Sequence, residues 1–460
     1  MQEGCADMKL CNQLVCRMMT GALAMSLASM LLAADKYKLE EPVDDSRVFG
    51  VGTRVDVSGK IQPSREFEAL KLNSSAALSY RERRLIGPGS EAESFRSVRD
   101  YETTQTDIDV SGQKSTAKLG DHLKLVVAQG RIDGVELYSL GGSFTPNELD
   151  LIQSPADSLA LIALLPNKEV EVGDKWTVPG WAFQMLTAID AIEKGELSCS
   201  LASVEKNIAR IKIDGQLRGA ALAAISELAL TGFYEYDLAT RCITQGDLTQ
   251  VEKRSASPVR PAYEFTARVR LLRKPAQLPG RLVDQKIIDT AVDEPKPTAL
   301  ALRFESPWNI GLQFPRHWHH WKTEEKHAIF RLIDQGNFVA QCNLSPVAPA
   351  KPGEHLSEQE FEREIRQSLG NFLKEFGKGE IIPTTDRSYI YRVSATGSNG
   401  ERQLTWVFYL IADPTGRQAS LSVTADTPQV ETLANREREL LDTLRFGPAP
   451  ASPTLRTTGQ

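Results

Sequence analysis

Hydrophobic and polar residues alternate along much of the chain between residues 35 and 273. The alternation is clearest in the runs 54–60, 123–127, 211–217 and 265–271. A period of two places every second side chain on one face of a β-strand, and one polar face is typical of antiparallel sheets. We therefore predict that residues 35–273 form an antiparallel β-rich domain, either a barrel or a sandwich.

Two short helical inserts are expected within this domain. At Thr145-Pro146-Asn147-Glu148 a capping residue is followed by a proline at the first helical position and a glutamate at the capping-box position. The second insert is expected near residues 182–193. Both would interrupt the sheet without changing its antiparallel character.

A run between the two inserts carries a resemblance. Residues 166–176 read P-N-K-E-V-E-V-G-D-K-W, which resembles a phrase of β-rich bacterial envelope domains of unknown function. Its physical content is a strand, a Gly-Asp turn and a tryptophan, Trp176, that begins the next strand. Core packing is the expected role of that tryptophan.

A change in composition separates this domain from a second one. Residues 274–301 contain Pro275, Pro279, Pro295 and Pro297, which is typical of a linker between domains. Residues 447–460 are rich in proline, serine and threonine and are expected to form a disordered tail.

Residues 302–446 show strands, a helix, more strands and a last helix. Strands are predicted over 308–318, 328–333, 338–344, 389–395, 403–412 and 418–424. A capping box at Ser357–Glu360 begins an apolar stripe that runs to Phe376, and Thr427 begins the last helix. This order predicts an α/β sandwich in which two helices cover an antiparallel sheet, so the whole chain is expected to be α+β.

The second domain resembles the PsbP/DcrB-type family. The opening strand ends in F-P-R-H-W at Phe314–Trp318, and G-R-Q-A-S-L-S-V-T-A over 416–425 leads to the last helix. The resemblance implies an α/β sandwich and a binding role, because members serve as extrinsic photosystem subunits, envelope lipoproteins and nuclear-transport adaptors. No motif specific to any of these branches is present, so the resemblance implies none of their particular roles.

Residues 1–34 have the pattern of a secretory signal. Lys9 and Arg17 precede an apolar, alanine-rich run from Met18, and polar sequence resumes at Asp35. We expect a signal peptide cleaved near Ala34 and a periplasmic or extracellular mature chain. A buried N-terminal helix or an uncleaved anchor is the alternative. No run of eighteen apolar residues follows, so no transmembrane span is expected in the mature chain.

Charge and cysteine content narrow the possibilities further. The formal net charge is −6, and without a basic run nucleic acid is not an expected partner. The expected mature chain keeps Cys199, Cys242 and Cys342. Cys199 and Cys242 lie in one predicted domain and form a possible disulfide, whereas three buried thiols are the alternative.

Histidines concentrate at the start of the second domain. His317, His319, His320 and His327 lie within eleven residues, and imidazole is a common ligand of zinc and other divalent metals. The segment lacks cysteine, and Glu324 and Glu325 are its only nearby carboxylates. A solvated loop is therefore the alternative to a metal site.

Tryptophans concentrate in the same segment. Trp308, Trp318 and Trp321 are half of the six tryptophans of the chain, and exposed tryptophans are typical of contact surfaces. One interpretation is a partner-binding patch. The other is that Trp308 and Trp318 complete the core and that Trp321 alone is exposed.

No catalytic residues are predicted. The chain has no G-x-S-x-G elbow, no H-E-x-x-H and no phosphate-binding glycine loop. We therefore expect an exported, non-catalytic binding or scaffold protein whose partner is a protein or another envelope component. The alternatives are a metal-binding protein that uses the histidines and a carrier that holds an apolar ligand in the β domain.

Overall fold

The computed structural model describes residues 35–42, 47–64, 66–86, 91–166, 168–277, 280–386 and 388–447. The signal peptide expected over 1–34, and all but the first residue of the tail expected over 447–460, lie outside the described residues. In the described part the chain is α+β with antiparallel sheets, as the patterns predicted.

Long strands and short helices make up the fold. The strands are β1 Tyr37–Lys38, β2 Val48–Gln62, β3 Leu70–Ile86, β4 Phe95–Val110, β5 Gln113–Lys118, β6 Leu125–Arg131, β7 Gly134–Ser139, β8 Glu169–Val170, β9 Lys175–Thr177, β10 Ala191–Glu205, β11 Ile208–Ala221, β12 Ala224–Asp237, β13 Cys242–Arg254, β14 Ala262–Ala276, β15 Leu302–Glu305, β16 Ile310–Phe314, β17 Trp318–Thr323, β18 Ala328–Asp334, β19 Asn337–Val347, β20 Leu373–Phe376, β21 Glu380–Ile381, β22 Tyr389–Asn399, β23 Arg402–Ala412, β24 Gln418–Asp426 and β25 Arg445–Phe446. The helices are α1 Pro146–Ile152, α2 Ser158–Ile162, α3 Gly180–Thr187, α4 Gln285–Val292, α5 Pro297–Leu300, α6 Glu358–Leu369, α7 Val430–Leu433 and α8 Arg438–Leu441.

Most strands of the first half belong to one large antiparallel sheet. Its order, among the described residues, is β7-β6-β4-β3-β2-β14-β13-β12-β11-β10-β9, and β5 pairs with β4 as a twelfth strand. The sheet does not close on itself, and its edge strands β7 and β9 are much shorter than the central ones. The expected β-rich domain is thus a single open layer whose two faces need separate cover.

The helical insert between β7 and β10 covers one face of this sheet. Strand β11 shows the alternation of buried and exposed residues: Ile211 and Ile213 are buried, and Lys212 is exposed. All five residues of α2 are buried, and Leu161 lies against Gly246 on β13. The two predicted inserts are present as α1 and α3, and α2 adds a third. Because the helices of the insert cover the buried apolar residues of the strands, this face of the sheet is a packed core. We call it the inner face.

The proline-containing segment covers part of the other face. It holds a 3₁₀ turn, α4 and α5, and Leu282 and Ile288 pack against Val98 of β4. Arg96 is fully buried and donates to the carbonyl oxygens at the end of α4, at 3.2 Å to Ala291 and 3.1 Å to Asp293. The last carbonyls of a helix have no partner within it, so Arg96 anchors this segment to the sheet.

A network of six buried charges lies between the sheet and the helical insert. Three cations and three anions take part, each at most 6% exposed: Arg84, Arg99, Arg273, Glu41, Glu82 and Asp157. Arg99 donates to both oxygens of Asp157, at 2.7 and 2.6 Å, and to Glu82 at 2.9 Å. Glu41 pairs with Arg273 at 2.5 Å and with Arg84 at 3.3 Å. Buried ions are tolerated when each is paired and hydrogen-bonded, as in this network.

Glu82 stays ionised inside this network. Burial alone raises the pKa of its carboxyl group, but Arg99, Arg273 and the hydroxyl of Ser158 together lower that pKa below its ordinary value. Ser158 lies 2.8 Å from Glu82 and is the first residue of α2. The network therefore attaches the helical insert to strands β3 and β4.

The second half forms an eight-stranded antiparallel sheet, again among the described residues. Its order is β17-β18-β19-β24-β23-β22-β20, with β21 paired to β22, and β15, β16 and β25 form a small separate sheet. Helix α6 packs Phe361 and Ile365 on one face, and Leu440 of α8 packs on the other side with Phe330. Helices thus cover an antiparallel sheet, as the sequence predicted.

Two helices are shorter than the apolar stripes predicted. Helix α6 ends at Leu369 because Gly370 has a φ of 48°, and Leu373–Phe376 is a strand. The last helix is interrupted at Ala434 and Asn435, which have φ values of 47° and 63°. These left-handed residues end each helix, which periodicity alone does not reveal.

The buried network gives a prediction about stability. Asp157→Asn keeps an acceptor for the N–H of Leu159 but leaves Arg99 without one of its two anions. We expect the free energy of unfolding to fall by about 3–5 kcal/mol, measured by urea denaturation. The control is Asp426→Asn, which breaks the exposed pair with Arg402 and should cost about 1 kcal/mol or less. Equal losses in the two variants would contradict the role given to the network.

Candidate binding site

The three tryptophans of the predicted patch do not share one surface. Trp318 is fully buried, and its indole nitrogen lies 3.3 Å from Glu439. Trp308 is half-buried and donates to the carbonyl oxygen of Glu325 at 2.8 Å. Trp321 alone is exposed, and the guanidinium carbon of Arg331 lies 3.6 Å from its ring centroid. Of the three tryptophans, only Trp321 contributes to the exposed surface, and it is stacked on an arginine.

The four histidines of the predicted metal cluster have separate neighbours. His317 lies 2.6 Å from Glu439, and His327 lies 3.2 Å from Glu324. His320 packs between Phe304 and Phe330. Successive residues of a strand point to opposite faces, so His319 is turned away from His320. Among the described residues, no group of three or more histidine, cysteine, aspartate or glutamate side chains is placed to hold a metal ion.

His319 is the histidine whose protonation is most affected by its surroundings. Burial, together with the positive charges of Arg260 and His317, lowers its pKa to about 4. Arg260 belongs to the loop between β13 and β14 and pairs with Asp150 at 3.3 Å. His319 is therefore neutral at pH 7, at a point where the two halves of the chain meet.

The cysteines of the possible disulfide are separate buried thiols. Cys199 lies on β10 and Cys242 on β13, and both are free. Two strands lie between them, which at a strand spacing of about 4.8 Å puts them at least about 14 Å apart. A disulfide requires Cα atoms within about 7 Å, so the structure does not pair them. Burial raises the pKa of the Cys199 thiol to about 12.

A large depression crosses the large sheet. We call it the outer groove, and it has a volume of about 970 Å³. It crosses six adjacent strands, and its lining comes from residues 58–60 of β2, 264–266 of β14, 251–253 of β13, 227–229 of β12, 216–218 of β11 and 194–195 of β10. Because no two of these segments are adjacent along the chain, the groove is a product of the sheet's register.

The outer groove lies on the face opposite the helical insert. Among its lining residues, Leu217, Leu228 and Glu252 are at most 5% exposed. Lys60 and Lys253, one position away in the alternation, are exposed. Since neighbouring residues of a strand face opposite sides of the sheet, the groove opens on the side of the exposed residues.

Glycines allow neighbouring strands to approach closely at both ends of the groove. A Cβ atom at Gly59 would lie 2.2 Å from the carbonyl oxygen of Glu264 on the next strand. At Gly195, where φ is +132°, a Cβ atom would lie 2.2 Å from the carbonyl oxygen of Gln216. No amino acid that has a Cβ atom allows so close an approach. An isolated glycine inside an alternating strand is the sequence signal that could have indicated this site.

A row of charges runs along the groove. Cross-strand pairing puts six residues in register, in the order Lys194, Arg218, Glu227, Lys253, Glu264 and Lys60. Arg218 pairs with Glu227 at 3.2 Å and Lys253 with Glu264 at 3.0 Å. Within the described ranges, Lys60 and Lys194 have no carboxylate within 4.0 Å. Arg218 also pairs with Glu193 at 2.9 Å. Together with Glu193 the row holds four cations and three anions, an excess of one positive charge on a chain whose net charge is −6.

The groove continues into a second, more apolar depression. This extension has a volume of about 530 Å³ and shares Lys60, Arg218, Lys253, Glu227 and Glu264 with the outer groove. Ile225 lies in the extension and Val251 in the groove, and their side chains are 50% and 49% exposed. Half-exposed β-branched residues beside lysines make this surface both cationic and apolar.

Comparison with known proteins gives limited information. No protein-family profile matches the chain, and no curated protein matches its sequence. The solution structure of cyanobacterial PsbP from Synechocystis sp. PCC 6803 matches 32% of this chain and 92% of its own, at 11% identity and a TM-score of 0.24. Lipovitellin matches 52% of this chain at 8% identity and a TM-score of 0.28, and only 26% of its own chain is covered. TM-scores this low carry no argument about the fold or the function of this chain.

The helices also bear on the membrane. In the part of the chain that the structure describes, none combines the length and the apolarity needed to cross a bilayer.

His319 provides a test of the contact between the two halves. Its histidine NMR resonance should titrate near pH 4 in the native chain, and Arg260→Gln should raise that pKa because a nearby positive charge is removed. Arg402→Gln, which changes an arginine paired with Asp426, is the control and should leave the value unchanged. Between pH 6.5 and about 4 the unfolded chain binds this proton more readily, so His319 lowers stability as the pH falls. A native value near 6.5 would contradict its burial.

Proposed function

We propose that the chain is a non-catalytic binding protein of the cell envelope and that the outer groove is its binding surface. The observation that carries this proposal is the cationic row along the groove, with Lys60 and Lys194 free to pair with a ligand. A local positive surface attracts an anionic partner at short range, even though the chain as a whole is acidic.

The support beneath the groove favours binding with little rearrangement. The strands that form it are backed by the packed helical insert, and Leu217 and Leu228 are part of that core. A rigid sheet presents its side chains in one arrangement, so little conformational entropy is lost when a partner docks.

The other hypotheses have less support. For an apolar carrier, the face that would hold the ligand is occupied by α2 and α3, where Leu159 and Leu161 are fully buried. For a metal protein, the histidines have the separate neighbours described above. For an aromatic patch, Trp321 is isolated from its two companions and already stacked on Arg331. The groove has none of these drawbacks.

Export remains part of the proposal. The expected cleavage site near Ala34 lies two residues before β1, the first strand of the fold. A mature N-terminus at Asp35, determined by mass spectrometry of protein from the envelope fraction, is the expected result.

A photo-crosslinker placed in the groove tests the binding surface. At Thr266, which is exposed and lines the groove, it should capture a partner in the cells that make the protein. At Lys212, exposed on the same face of β11 but outside the groove, it should capture none. The double reversal Lys60→Glu and Lys194→Glu should abolish the Thr266 adduct, because both unpaired cations are replaced by anions.

The matched control is the double reversal Lys114→Glu and Lys212→Glu. Both of these lysines are exposed on the large sheet outside the groove, so the change in net charge is the same. The Thr266 adduct should persist in this control. Equal adducts from Thr266 and Lys212, or none from Thr266, would remove the groove as the binding surface.

A further inference from the structure

We infer that the outer groove binds an extended, acidic segment of a partner protein, with carboxylates recurring about every third residue. This inference rests on the proposed function and adds the chemistry of the occupant.

The length of the groove fits an extended peptide. It runs across six strands, from β2 to β10. Five intervals of about 4.8 Å give a length of about 24 Å. An extended chain advances about 3.3–3.6 Å per residue, so roughly seven residues span the groove.

The spacing of the cations fits the spacing of side chains on such a peptide. In the cross-strand row, Arg218 and Lys253 are separated by one strand, and so are Lys253 and Lys60. Each separation is two strand intervals, about 9.6 Å. Three residues of extended chain span about 10 Å, so acidic side chains at every third position meet successive cations.

The existing ion pairs do not prevent this exchange. Lys253 and Glu264 are 70% and 59% exposed. Arg218 is 37% exposed, and its two partners Glu193 and Glu227 are 64% and 59% exposed. Exposed pairs of this kind contribute little, since solvent already screens them. A partner carboxylate replaces such a contact at a small cost in free energy. The partner also pairs with Lys60 and Lys194, which lie at the two ends of the groove.

The apolar residues distinguish a peptide from other polyanions. Ile225 and Val251 are half-exposed beside the charged row, and apolar side chains of a peptide would cover them. A polyphosphate or an acidic glycan offers no aliphatic group for this contact. An anionic lipid needs a place for its acyl chains, whereas Ile225 and Val251 are the only large hydrophobic residues of the groove and its extension that are more than a third exposed among the described residues.

The test uses the full mature chain and a fluorescent nine-residue peptide with aspartate at positions 1, 4 and 7 and valine or threonine between them. Fluorescence anisotropy should report saturable binding that weakens as salt is raised, because exposed charges are screened. The double reversal Lys60→Glu and Lys194→Glu should weaken binding by about tenfold or more. The control Lys114→Glu and Lys212→Glu should change affinity by less than about twofold, since distant exposed charges contribute little.

Two comparisons make the result decisive. The same peptide with asparagine for aspartate should not bind, and vesicles containing phosphatidylglycerol should not compete with the acidic peptide. Binding that is unaffected by the groove reversal, or vesicles or inorganic polyphosphate that bind in its place, would overturn the peptide inference. If the Thr266 crosslink still forms in that case, the groove remains the binding surface with a different occupant. Loss of the crosslink as well would remove the proposed function itself.

Discussion

The buried ionic network is the interaction on which the first half of the chain depends. Arg99 joins Glu82 on the sheet to Asp157 at the start of α2, with distances of 2.6–2.9 Å. With the hydrogen bond that the hydroxyl of Tyr234 donates to the carbonyl oxygen of Leu164 at 3.2 Å, the network supplies directional contacts that orient the helical insert, because apolar packing alone is not directional. Each of the six charges has an oppositely charged partner, so any arrangement that leaves one charge unpaired is strongly disfavoured.

The proposed binding surface depends indirectly on that arrangement. The insert covers the apolar face, which leaves the charged face to interact with other molecules. Gly59 and Gly195 allow the neighbouring strands to approach closely at the two ends of the groove on this face. A groove built on strands keeps its cations at multiples of the strand spacing, and this regularity is what makes a repeating ligand a good match.

The sequence predicted the elements better than it predicted the site. Local signals were confirmed: the hydroxyl of Thr145 accepts from the N–H of Glu148 at 3.2 Å, and the hydroxyl of Ser357 accepts from the N–H of Glu360 at 3.2 Å. The outer groove was missed because its lining is distributed over six strands, and register between strands is not visible in one sequence. Glu82 and Asp157 were not recognised as core residues either, since a charge that is buried and paired has the same letter as one at the surface.

The pair between Glu41 and Arg273 has a consequence for how the chain reaches its fold. The two residues are 232 positions apart, and they join the start of the first domain to its last strand. Synthesis from the N-terminus exposes Glu41 long before Arg273 exists, so the network cannot be neutral until the whole domain has emerged. Contacts of such long separation make folding slow. Until the domain is complete, its long strands expose unpaired edges through which unfolded chains can associate.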